Sequence, residues 1–332
     1  MASETPACPE TRKALTFRGL PFDEQIIKDL GSEHPSGGAD WIRWADQHGI
    51  ARETKAGKKS VKFEKLMAAT VKQLKPTKLK VGAKIGDGRY SLVYALASDP
   101  RQTIKITGDV TDAVTWARVL ELREEGALTP TNSGSLSEVS CVLRVPHPVP
   151  GQNQDLFLVV APRYKPLSQK ASSFVSALMS VMEHGWPTGK ETLLQISRHH
   201  LGDEWLAEVR SRGGKDWLDL LEEEVKAWLE TKGLGPLSEE DIVHDPRVVK
   251  DHFEFIIEAF ASKLPGCGAH ADHLVQTLMT LAKHGLYPRD LHADQIMIDD
   301  SGPKPRWRIV DLGLTTMLDA KQAIHDVDLR KA

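Results

Sequence analysis

The sequence predicts an α+β chain in which strands fill the stretch from about 79 to 160 and helices dominate most of the remainder toward the C-terminus. Three observations carry that expectation. Ile85-Gly86-Asp87-Gly88-Arg89-Tyr90-Ser91-Leu92-Val93-Tyr94 sets alternating apolar residues beside a glycine-rich turn, the pattern of a hairpin. Thr103-Ile104-Lys105-Ile106-Thr107 and Leu156-Phe157-Leu158-Val159-Val160 are β-branched or apolar runs of strand length. Trp217, Leu218, Leu220, Leu221, Val225, Trp228 and Leu229 instead form an apolar stripe at helical spacing, with Glu222, Glu223, Glu224 and Lys226 facing elsewhere. Strand-rich sequence followed by helix-rich sequence points to an α+β architecture.

Residues 1–78, at the start of the chain, are expected to form an N-terminal helical extension. Its first residues, through Pro9, carry no pattern, whereas Phe22 to Leu30, Asp40 to His48 and Val61 to Leu74 have helical spacing, and Trp41 and Trp44 lie one turn apart. Residues 79–162 then hold the hairpin, the lysine-bearing strand, one helix and further strands. The helix is placed over Asp112 to Glu125, where Val114, Ala117, Leu120 and Leu122 recur at helical spacing. Residues 163–332 are mainly helical and include a helical insertion at about 186–250. Gly233 and Gly235 should end the Trp/Leu helix, and Asp245-Pro246 should open the next one, which carries Phe253, Ile256, Ile257 and Phe260.

Composition bounds the function. A chain of 332 residues has room for two lobes, and 40% hydrophobic with 27% charged residues is ordinary for a globular protein. A formal charge of −3 gives no reason to expect nucleic acid as the partner. No apolar run approaches the ~20 residues of a membrane span, and Met1 to Lys13 lacks the apolar core of a signal peptide. Cys8, Cys141 and Cys267 are odd in number and scattered, which argues against a disulfide framework. A cytoplasmic protein with no membrane partner is the expectation. Cys267, His270 and His273 have zinc-ligand identities at three-residue intervals, but no fourth ligand accompanies them, so a helix start is expected there.

The chemistry-bearing residues fall into four groups. Glycines in the hairpin let a backbone approach phosphates without a Cβ in the way. Lys105 stands alone between two isoleucines, a costly place for a charge unless a partner such as a phosphate meets it. Tyr287-Pro288-Arg289-Asp290-Leu291-His292-Ala293-Asp294-Gln295-Ile296-Met297-Ile298-Asp299 is an acid-rich loop running into an apolar strand, and Ile309-Val310-Asp311-Leu312-Gly313 adds a second acid.

In this order and spacing, the four groups resemble the protein-kinase-like phosphotransferases. Their layout is most similar to compact prokaryotic or phage Ser/Thr protein kinases, and the D-L-H-x-x-Q loop is similar to that of aminoglycoside-type kinases. The resemblance covers roughly residues 80–165 and 270–315. It implies a bilobal fold, with an antiparallel N-lobe sheet and a mainly helical C-lobe. Little chain lies between Asp311 and Ala332, so a truncated C-terminus without an activation segment is expected.

The resemblance also implies the activity: an ATP- and Mg²⁺-dependent phosphotransferase, with Mn²⁺ as a possible substitute, acting on a protein substrate or on a small-molecule acceptor. Gly86, Gly88, Ser91 and Val93 would cover the nucleotide, Ser91 replacing the family's third glycine. Lys105 would pair with the α/β-phosphates and be fixed by an acid of the following helix. Glu121 is preferred for that role on its separation from the lysine, and Asp112 stays open as the alternative. Ala161 and Arg163 would present backbone groups to the adenine. Asp290 would aim the acceptor hydroxyl, His292 would donate to the γ-phosphate or brace the loop, and Asp311 would ligate Mg²⁺. Gln295 stands where the family has Asn and would be the second metal ligand, with Asp294 as its substitute. A non-catalytic binding protein is the remaining alternative.

Overall fold

In the computed structural model, residues 81–87, 91–145, 156–238, 242, 246–288, 291–313 and 315–317 are described. The expected N-terminal extension over 1–78, Gly88 and Asp290 lie outside the described residues. The protein is mixed α+β, and its chain divides into two compact units. Among the described residues the first takes 81–127 and 137–163, and the second takes 128–136 and 164–317.

The first unit is built on a five-stranded sheet. Its strands are β1 (Val81–Asp87), β2 (Ser91–Leu96), β3 (Asp99–Thr107), β4 (Cys141–Val145) and β5 (Leu156–Pro162), in the spatial order β1-β2-β3-β5-β4. Every neighbouring pair is antiparallel. Because side chains alternate across a strand, the register sorts residues by face. One row crosses the sheet as Gly86, Val93, Lys105, Val159 and Val142. The neighbouring rows hold Leu92, Ile106 and Leu158, and Ile104 and Val160, all at most 4% exposed. Helix α1 (Val110–Glu124) falls over the stretch where the sequence expected a helix, and it packs on β4 and β5 with Ala113, Trp116, Ala117 and Leu122 buried.

The second unit is mainly helical. It contains α2 (Gln169–His184), α3 (Lys190–His200), α4 (Asp203–Gly213), α5 (Trp217–Thr231), α6 (Lys250–Ala261) and α7 (Cys267–Lys283). Helix α2 starts on a Ser168 cap, whose hydroxyl accepts from the Ala171 N–H, and ends at Gly185, φ 78°. A Cβ at Gly185 would collide with the Leu237 backbone. On α5 the buried residues are Leu221, Val225 and Leu229, one turn apart, and the tryptophans Trp217 and Trp228 are half-buried. That helix closes on Gly233, φ 77°, through bonds from the Gly233 N–H to Glu230 O and from the Leu234 N–H to Leu229 O. The apolar face of α6 packs on α2, α3 and α7.

Short strands complete this unit. They are β6 (Lys165–Pro166), β7 (Leu286–Pro288), β8 (Ile296–Asp299), β9 (Arg306–Ile309) and β10 (Thr315–Met317). β6, β8 and β9 form one antiparallel sheet, while β7 and β10 form another. Residues 128–136 belong here although the chain on both sides of them belongs to the first unit, a division the sequence did not anticipate. Cys267 is free and buried. Among the described residues, no helix is long and apolar enough to cross a membrane.

Candidate functional site

The residues singled out by the sequence form two groups, one in each unit. In the first unit the connection from β3 to α1 is only Gly108 and Asp109. Asp109 caps the helix: its N–H donates to Thr107 Oγ1 at 2.9 Å and its carboxylate accepts from the Asp112 N–H at 3.2 Å. So short a connection brings the first turn of α1 back beside β3. There the Lys105 ammonium meets Asp112 Oδ2 at 2.7 Å, with side-chain exposures of 12% and 0%.

This corrects the preference for Glu121. That residue lies further along α1 at 42% side-chain exposure and pairs with Arg118 at 3.0 Å. Separation from the lysine favoured Glu121; the tight, capped turn selects Asp112. Lys105 shares its sheet row with Val93 and Gly86, so these three line one face. Ser91 is buried at the start of β2, opposite Thr107.

The strand residues expected to meet adenine are already engaged inside the sheet. The Arg163 N–H donates to Arg101 O at 2.6 Å, which closes that donor to a ligand. Ala161, the register partner of Thr103, accepts at its carbonyl oxygen from Thr103 Oγ1 at 3.2 Å.

In the second unit, two pairings bring the acid-bearing stretches together. Pro288, just ahead of Asp290, pairs with Thr315, just past Asp311. Ile296, just past Gln295, pairs with Ile309, just ahead of Val310. Between them, residues 293–295 form a 3-10 turn against α2. Gln295 is buried, its N–H donating to His292 O at 3.0 Å and its Oε1 accepting from the His292 N–H at 3.1 Å. It therefore braces the loop from within. His292 and Asp294 are exposed, and Leu291 is buried. Half-buried Asp311 accepts at Oδ1 from the Gly313 N–H at 3.0 Å, and Leu312 beside it is 1% exposed.

The donor set fits a hard divalent cation. Asp311 carries carboxylate oxygens and Gln295 an amide oxygen, the hard donors such an ion takes. The Cys267, His270 and His273 run opens α7, where His270 stacks on Trp307 at 4.9 Å. Among the described residues, no cluster of three His, Cys, Asp or Glu suited to a metal occurs. On α5, Glu224 is held by Arg212 at 2.5 Å.

Sequence reasoning missed a buried cluster on the two strands that flank the loops carrying Gln295 and Asp311. Arg308 and Asp299, at side-chain exposures of 5% and 9%, form an ion pair at 2.7 Å. Burial alone would push the Asp299 carboxyl up, but hydrogen bonds from Ser301 and Arg308 outweigh it and hold the carboxyl below its usual range. The available signal was an arginine between Trp307 and Ile309 in a strand, the same pattern that marked Lys105. A scan of protein-family models finds no match to this chain, and a search of the curated proteins finds none either.

Proposed function

We propose that this protein is an ATP- and Mg²⁺-dependent phosphotransferase of protein-kinase-like fold, specifically a Ser/Thr protein kinase of the compact prokaryotic or phage type. The observation that carries this reading is the Lys105–Asp112 pair. A nearly buried ammonium, fixed by a fully buried carboxylate and lying in one sheet row with Val93 and Gly86, suits a group that holds nucleotide phosphates. A buried ion pair by itself is no great asset to stability, since apolar residues of similar volume often serve as well.

The pairing of Ile296 with Ile309 supports the same reading, because it brings Gln295 and Asp311 to one end of a hairpin. Asp311, with Gln295, would hold Mg²⁺, which when bound would neutralise charge on the β- and γ-phosphates. Asp290 would aim the acceptor hydroxyl, and His292, on the adjoining loop, would face the transferred group. Phosphoryl transfer has a loose transition state, so positioning is the main task of these residues.

Incubating the protein with labelled ATP, Mg²⁺ and a bacterial lysate tests the reading. Labelled protein bands that vanish in Lys105→Ala would support it. Label confined to soluble metabolites would replace it with a small-molecule kinase, and no turnover with either class of acceptor would leave a non-catalytic binding protein.

A further inference from the structure

Asp311 lies two residues past the end of β9, so its position depends on what grips the end of that strand. Two consecutive amides point to opposite sides: the Ile309 N–H donates to Ser135 O at 2.6 Å and the Val310 N–H to Gln295 O at 2.8 Å. On the Gln295 side, the β8–β9 ladder continues the grip. On the other side, Leu136 and Ile309 make an isolated parallel bridge. Segment 128–136 is fastened there by side chains. Thr277 Oγ1 of α7 accepts from the Ser135 N–H at 3.2 Å, and Arg308 Nη1 donates to Gly134 O at 2.8 Å and Leu136 O at 3.2 Å.

The other edge of the same guanidinium, Nε and Nη2, donates to Asp299 Oδ2 at 3.0 and 2.7 Å. Asp299 Oδ1 in turn accepts from the Ser301 N–H and hydroxyl at 3.1 and 2.5 Å. The planar fork of arginine serves a carboxylate and two carbonyls at once, which a lysine cannot do. Cross-strand neighbours of Arg308 and Asp299 are Met297 and Arg306, so the pair spans the hairpin diagonally, on the same face.

We propose that Arg308, anchored by Asp299, is a positioning residue that fixes the backbone carrying Asp311 by clamping β9 to segment 134–136. Its consequence for metal use rests on the phosphotransferase reading; its structural part does not. Three full-length proteins test it: wild type, Arg308→Lys, and the double variant Arg308→Met with Asp299→Leu. The double variant removes both buried charges together and so is expected to stay folded.

Amide hydrogen exchange without nucleotide is the first readout. In both variants, exchange over residues 309–313 should speed up about tenfold or more, while the buried core of α6 and α7 keeps wild-type protection. The second readout is the Mg²⁺ dependence of ATP turnover. The Mg²⁺ concentration for half-maximal rate should rise and kcat should fall about tenfold to a hundredfold, with KM for ATP at saturating Mg²⁺ little changed. Unchanged exchange at 309–313, or acceleration spread evenly over α6 and α7, overturns the proposal. Wild-type protein that turns over no ATP overturns the proposed function instead, and the exchange measurement still decides the clamp.

Discussion

Lys105 and Asp112 meet at 2.7 Å, and the carboxylate has no exposed surface. Removing one partner of a buried pair commonly costs about 3–5 kcal/mol, because the other charge stays buried. Asp112→Ala is therefore expected to lower thermal stability substantially and to abolish ATP binding. Glu121→Ala, whose partner Arg118 is a surface residue, should change stability by no more than about 0.5 kcal/mol and leave ATP affinity intact. Calorimetric titration of both variants with ATP checks this. Equal affinities would remove Asp112 from the site.

Asp311 and Asp290 should separate binding from transfer. Asp311→Asn is expected to weaken nucleotide binding only when Mg²⁺ is present. Asp290→Asn should bind ATP as wild type does and slow transfer by roughly two to four orders of magnitude. Parallel binding and single-turnover measurements check the division. Similar loss of binding in both variants would end it.

Gln295 gives a sharper test than the type of residue alone suggests. Its Oε1 accepts from the His292 N–H at 3.1 Å from a buried position, so an asparagine one methylene shorter would not reach that amide. Gln295→Asn should consequently lower activity, although Asn stands at this position in the kinases that the sequence resembles. Gln295→Ala should do the same and, if the oxygen also ligates metal, raise the Mg²⁺ requirement further. Metal titrations of the three proteins decide it. Superimposable curves would leave Gln295 as a loop brace only.

Stability should fall in two steps as pH is lowered. Burial is the first cause that lowers His200, His252 and His270 below their ordinary 6.5. For His252 the cause is plain: the residue is 4% exposed, Nε2 lies 3.0 Å from Gly235 O, and Nδ1 is buried with no hydrogen-bond partner among the described residues. A histidine whose folded value is depressed stabilises fully above its unfolded value, and that stability is lost as pH falls from 6.5 through the folded value. Asp299, held below 3.8, adds a second loss as pH falls from that value through its lower folded one. Urea midpoints from pH 8 to 3 should show the first step, and His252→Phe should reduce it. A flat profile between pH 7 and 5 would contradict the lowering of these histidines.

The sequence by itself determined what is local in this protein. Alternation placed a hairpin over 85–94 and a strand over 103–107, and 3.6-residue spacing gave an apolar stripe on α5 that includes the buried Leu221, Val225 and Leu229, since each pattern is set by the geometry of one element. It also picked out Lys105 as a charge out of place in an apolar strand, and Asp311 as an acid placed just after one. Tertiary structure alone decided the partners. Asp112 replaces Glu121 because a capped turn at Gly108 and Asp109 brings the first turn of α1 beside β3. Arg308 is a buried clamp because Gly134, 174 positions away in the chain, presents its carbonyl there. Gln295 turns inward because the 293–295 turn leaves the His292 N–H for it to satisfy. Periodicity encodes which face of an element is apolar, whereas the partner of a buried polar group depends on chain segments that meet only in the fold, and its burial makes that pairing obligatory.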